Sequence, residues 1–144
     1  MIKKVLVANR GEIACRIIKT LSRLGIESSV VFSREDEGSL AVEMADKSFL
    51  LKDPENKSQE YLDINQIIKI AKQNGIDAVH PGYGFLSENA SFAKDIEKNG
   101  IKLIGPPAKA IEIMGDDDFY ASGLMFAMQG LFAYTDEGNE GGPL

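Results

Sequence analysis

The chain has 144 residues, of which 44% are hydrophobic and 26% charged, the balance of a globular domain rather than a disordered segment. Its net charge of −6 belongs to the tail: residues 1–115 hold 16 acids against 16 bases, and residues 116–144 hold six acids and no base, which argues against nucleic acid or an anionic membrane as partner. No apolar run is long enough to span a bilayer, MIKKVLVANRGE turns polar too early for a signal peptide, and the lone Cys15 excludes an intrachain disulfide, so a reducing, cytoplasmic location is expected.

The first apolar run, VLVA, is short, β-rich and not alternating, as in a strand covered on both faces. It leads into ANRGEIACR, where Asn9, Arg10, Gly11 and Glu12 occupy a strand-to-helix turn. A helix N-terminus favours anions and Arg10 adds charge, so these four residues form a candidate phosphate or carboxylate site; the alternative is a local surface pair between Arg10 and Glu12. GEIACRIIKTLSRLG then places Ile17, Ile18, Leu21 and Leu24 on one helical face, with Cys15 as a small core hydrophobe. SVVF is the second strand, REDEG (34–38) a solvated charged loop, KSFLL (47–51) a further strand and DPENKSQEYL (53–62) a polar surface connection.

DINQIIKIAKQNG reads as a helix capped by Asp63, with Ile64, Ile67, Ile68 and Ala71 on its buried face. DAVH is a strand, SENASFAKDIEKNG a helix with Asn89, Phe92, Ala93 and Ile96 on one face and Ala90 beside them, and KLIG the last strand. Three junctions pass from a polar helix end through glycine (Gly25, Gly75, Gly100) and isoleucine into an apolar run, the glycine closing the last helical turn in a left-handed conformation. This alternation predicts an α/β fold, a three-layer Rossmann-like parallel sheet over residues 1–115, followed by a divergent acidic and apolar tail over 116–144. In such a sheet ligands bind beyond the carboxyl ends of the strands, and ANRGE, FSREDEG, HPGYG and IGPP all lie on that edge.

The densest stretch is HPGYGFLSENASF (80–92). GYGFLS (82–87) is a defective dinucleotide fingerprint, because Ser87 stands at the third glycine position; the glycines are equally well read as a tight strand-to-helix turn in which Pro81, Gly82 and Gly84 supply backbone angles. Ser87 and Asn89 are candidate helix caps. His80 reads first as a satisfied structural histidine and second as a proton shuttle. A zinc site is excluded because the sequence has no second histidine and no cysteine pair to complete one.

VLVANRGEIACRII, MADKSFLL, HPGYGFLSENASFA and IKLIGPPAKAIEIMGD together resemble, in order and spacing, the N-terminal domain of biotin carboxylase, the component found in acetyl-CoA, propionyl-CoA, methylcrotonyl-CoA and pyruvate carboxylases. The resemblance covers residues 2 to about 116. It implies a Rossmann-like domain preceding an ATP-grasp module, and a reaction in which ATP phosphorylates bicarbonate and the resulting carbon dioxide is captured by a biotin ureido nitrogen. ATP, Mg2+ and biotin are the implied cofactors of the complete enzyme, and biotin on its carboxyl carrier protein is the implied partner. The loop bearing His80, Gly82, Tyr83, Gly84, Phe85, Glu88 and Asn89 is implied to face biotin, with Tyr83 against the ring, the glycines admitting close backbone approach, and Glu88 and Asn89 holding the loop.

Two positions depart from the family pattern: Asp117 stands where a phosphate-contacting lysine follows Met-Gly-Asp, and Ala41 replaces a histidine. An anion in place of the cation would repel phosphate. The ATP-grasp residues have no counterpart in this sequence, so the expectation is a truncated or degenerate biotin carboxylase chain with no catalytic residue or metal ligand of its own. The alternatives are an independent interaction module, pairing as a homodimer through Phe119, Leu124, Phe126, Leu131 and Phe132 of the tail, and a nonfunctional truncated product.

Overall fold

The computed structural model describes residues 1–52, 61 and 63–105. The expected tail, and most of the connection over 53–62, lie outside the described residues. Five strands, β1 (Lys4–Val7), β2 (Glu27–Phe32), β3 (Lys47–Leu50), β4 (Ala78–His80) and β5 (Lys102–Leu103), form one sheet in the order β3-β2-β1-β4-β5. Every pairing is parallel; Val5 sits opposite Ser28 on one side and Ala78 on the other.

Among the described residues four α-helices, α1 (Gly11–Arg23), α2 (Leu40–Met44), α3 (Ile64–Gln73) and α4 (Ala90–Lys98), lie in the crossovers. Successive side chains of a strand point to opposite faces, so the sheet carries two cores. Val5 and Val7 pack with Val30 and Ala78 against Ala14, Ile17, Ile18 and Leu21 of α1 and Ala41 of α2. Leu6 and Ala8 pack with Val31 and Val79 against Ile67, Ile68 and Ala71 of α3 and Phe92 and Ile96 of α4. The result is the expected three-layer α/β arrangement, with Cys15 buried in the first core.

The boundaries follow local chemistry. Asp63 caps α3 by accepting from the Gln66 N–H at 3.1 Å. Gly25, Gly75 and Gly100 close the three long helices at φ 70°, 65° and 71°. At the amino edge of the sheet the Asp77 carboxylate accepts from the backbone N–H groups of Lys3 and Lys4, fastening β1 to β4. The five-residue α2 was not anticipated; one helical turn is too short to generate a periodic pattern. The helix expected from Ser87 onward starts later, at Ala90, because residues Phe85–Glu88 form a 3-10 turn first.

Candidate functional site

The chain order places β2 on one side of β1 and β4 on the other, so the connections diverge between β1 and β4. That divergence opens a crevice at the carboxyl edge of a parallel sheet, the position where α/β folds bind ligands. Two loops flank it: residues 8–10 after β1, and residues 81–89 after β4.

Asn9 joins them. Its side chain is 2% exposed and donates from Nδ2 to the carbonyls of Pro81 and Tyr83, both at 2.8 Å. Its Oδ1 accepts from the Arg10 N–H at 2.8 Å. A charge-free amide supplies two donors and an acceptor at once, which no aliphatic or carboxylate of that size can do. Gly82 makes this contact sterically feasible. A Cβ there would stand 2.6 Å from Asn9 Nδ2 and 2.9 Å from Ile13 Cγ2, and the residue has φ +65°.

His80 closes the base of the loop. It is 1% exposed, its carbonyl accepts from the Ala8 N–H at 2.9 Å, and its Nδ1 accepts from the Gly82 N–H at 3.0 Å. Burial pushes its pKa down to about 4. A neutral ring that accepts at Nδ1 is fixed in one tautomer, so the structural reading of His80 fits better than that of a proton shuttle.

Beyond Gly82 the loop turns outward. Tyr83 and Phe85 are 41% and 42% exposed, and Leu86 between Phe85 and Ser87 is buried in the core below. Gly84 has φ +71° with open space at its Cβ position, so its requirement is backbone angle rather than close approach. Phe85 also has positive φ, 45°, a conformation that costs an L-residue about 1–2 kcal/mol. Ser87 donates from Oγ to the Gly84 carbonyl at 2.7 Å, and Asn89 caps α4 by accepting from the Phe92 N–H at 2.9 Å. Of the two cap candidates, Asn89 is the helix cap and Ser87 closes the turn before it. Glu88 is half-buried at the end of that turn.

The remaining candidates at the β1 loop take other roles. Gly11 and Glu12 are exposed in the first turn of α1. Arg10 does not pair with Glu12. Its Nε and Nη2 hold Asp36 in a two-point pair at 2.7 and 2.6 Å, so its charge is already matched. Asp36 in turn lies in REDEG, expected to be solvated, yet its side chain is only 13% exposed. It also accepts from the hydroxyl of Tyr61 and from Ser33 Oγ, while the Ser33 N–H donates to the Tyr61 oxygen at 3.1 Å. The Arg10 hydrogen bonds hold the Asp36 carboxyl below the usual range, and Asp36 keeps Arg10 firmly protonated. Burial first, and then the Asp36 contact, push Tyr61 up to about 12. The Tyr61 ring lies 5.3 Å from that of Phe85 at 36°.

The structure therefore brings Asn9, His80, Gly82, Tyr83 and Phe85 together and adds Asp36 and Tyr61, which sequence reasoning passed over as surface. Two exposed aromatic residues, Tyr83 and Phe85, stand at this edge beside the paired charges of Arg10 and Asp36. Among the described residues no group of three or more His, Cys, Asp or Glu side chains could hold a metal ion.

Comparison with known proteins agrees with this geometry. A family model for the biotin carboxylase N-terminal domain matches residues 1–111. The chain is 51% identical over 114 residues to the mitochondrial methylcrotonoyl-CoA carboxylase subunit alpha of Dictyostelium discoideum, covering 79% of this chain and 16% of that protein. It is 49% identical over 118 residues to biotin carboxylase 1 of Bacillus subtilis, covering 82% and 26%. The biotin carboxylase domain of Hydrogenobacter thermophilus 2-oxoglutarate carboxylase, solved as a dimer with MgADP, ADP and bicarbonate, superposes with a TM-score of 0.75 at 46% identity, covering 81% of this chain and 25% of that one. The chain thus spans about a quarter or less of these relatives. With residues 1–111 matched by the family model and the fold superposing on a solved biotin carboxylase domain, the chain belongs to the biotin carboxylase N-terminal domain family.

Proposed function

We propose that this chain supplies the biotin-facing wall of a biotin carboxylase site, with Tyr83 against the ureido ring and Phe85 beside it. The observation that carries the reading is the exposed Tyr83–Phe85 ledge, held over the β1–β4 crevice by the Asn9 clasp. Exposed aromatic faces on a fixed backbone suit a flat, partly apolar heterocycle at low entropic cost. Gly84 supplies the positive φ that turns the ledge outward, and Glu88 and Asn89 anchor its far end. The α1 N-terminus, with Gly11 and Glu12, lies on the same edge, but the pairing of Arg10 with Asp36 weakens the case for an anion site there.

ATP and Mg2+ would be held by the ATP-grasp module that family members carry, and the carrier protein would deliver biotin. Burial of the lone Cys15 in the core is consistent with a reducing, cytoplasmic setting. No helix among the described residues is long and apolar enough to cross a membrane. A second copy of this chain is the other partner implied, supported by the dimer of the Hydrogenobacter thermophilus domain.

The test is a chimera in which residues 1–111 replace the matching segment of Bacillus subtilis biotin carboxylase 1. The chimera is expected to carboxylate free biotin. Tyr83→Ala within it should raise KM for biotin about tenfold, the equivalent of one aromatic contact, and leave KM for ATP unchanged. An active chimera whose KM for biotin ignores Tyr83→Ala would overturn the assignment.

A further inference from the structure

Phe85 is held in a left-handed backbone conformation and is 42% exposed. Its ring meets that of Tyr61, with centroids 5.3 Å apart. Tyr61 comes from the connection between β3 and α3, far from the loop in sequence. Its hydroxyl donates to Asp36, whose carboxylate is gripped at two points by Arg10. Arg10 follows directly on Asn9, which holds the carbonyls of Pro81 and Tyr83. The contacts close a ring through four segments: the β1 loop, the β2 loop, Tyr61 and the β4 loop. Asp36 is its hub, accepting from Arg10, Tyr61 and Ser33.

We propose that Asp36 and Tyr61 are positioning residues that set the angle at which the Tyr83–Phe85 ledge is presented, by locking the loops after β1, β2 and β4 into one unit. This rests on the reading of that ledge as a substrate-facing wall. Each link has a separate physical task. The Arg10–Asp36 pair fixes both planes because a two-point contact leaves no free rotation. The Tyr61 hydroxyl converts that fixed carboxylate into a fixed ring, and the ring restrains Phe85. A ledge restrained before the ligand arrives loses less conformational freedom on binding.

Amide hydrogen exchange across Gly82–Glu88 in the full chain tests this, with Leu6 and Val79 of β1 and β4 as internal reference. Tyr61→Leu, which removes hydroxyl and ring, should speed loop exchange about tenfold. Tyr61→Phe keeps the ring and should recover most of the protection. Asp36→Asn weakens the grip on Arg10 as well as the Tyr61 contact, so it should speed loop exchange more than Tyr61→Phe does. Adding Tyr61→Phe to it should add little, because the hydroxyl has already lost its charged acceptor. Spectrophotometric titration supplies the signature of the hub: Asp36→Asn should lower the Tyr61 ionisation from about 12 while burial keeps it above 10. Loop exchange unchanged in Asp36→Asn and Tyr61→Leu overturns the proposal. So does a rise that is equal in the loop and in the two strands, since that marks a general stability role. Biotin takes no part in these measurements, so their failure leaves the Tyr83 assignment standing, and loss of that assignment leaves the clamp standing.

Discussion

His80 combines full burial with an accepting Nδ1, and both depend on the ring staying neutral. Its folded pKa of about 4 lies below the ordinary 6.5, so between those values the unfolded chain binds a proton that the folded chain refuses. Stability contributed by this residue is complete above pH 6.5 and is lost as pH falls toward 4. Between pH 7 and pH 5 the loss should be about 2 kcal/mol, read as a lower urea midpoint, and His80→Gln should flatten that slope. An unchanged midpoint in the wild-type chain would refute the neutral-acceptor role. The histidine was legible in the sequence as structural. Asp36 and Tyr61 were not, since REDEG and DPENKSQEYL have the composition of solvated surface and share no periodicity. Only the closing of β1 beside β2 brings Arg10 to Asp36, and nothing local to either segment signals it.

At the scale of elements, the sequence disclosed what repetition encodes. Apolar spacing gave the buried faces of α1, α3 and α4, and glycine followed by isoleucine gave the three helix ends. It did not disclose how the β1 and β4 loops interlock, because an asparagine beside an arginine is equally at home in an anion site. That interlock distinguishes two glycines with almost identical φ. Gly75→Ala meets open space and should cost about 1 kcal/mol from backbone strain alone. Gly82→Ala drives a methyl into Asn9 and Ile13 and should cost about 3 kcal/mol, with strain and overpacking combined. Urea denaturation of both variants decides the matter; equal costs would mean that the clasp yields without resistance.

For the whole molecule, the two-sided core and parallel order were readable because strands covered on both faces lack alternation. The association state was not, since it depends on surfaces rather than on periodicity. The alternative reading is self-association through the apolar tail residues Phe119, Leu124, Phe126, Leu131 and Phe132. Sedimentation should show a concentration-dependent dimer that Phe126→Asp weakens. A strict monomer into the high micromolar range would reject self-association.

The Asn9 clasp also has a kinetic meaning. It bonds groups 72 and 74 residues apart, and closing a loop of that length costs about 4 kcal/mol of chain entropy beyond a constant term. The ledge therefore cannot take shape by itself and then wait for the sheet. On an emerging chain, the Asn9 amide has no carbonyl to donate to in this loop until the synthesis machinery has released Tyr83. The β1 edge that faces β4 stays unpaired until the fourth strand arrives, although β2 can pair the other edge earlier. Assembly of the binding wall is thus a late report on successful folding, and a chain that displays it has already paired β1 with β4.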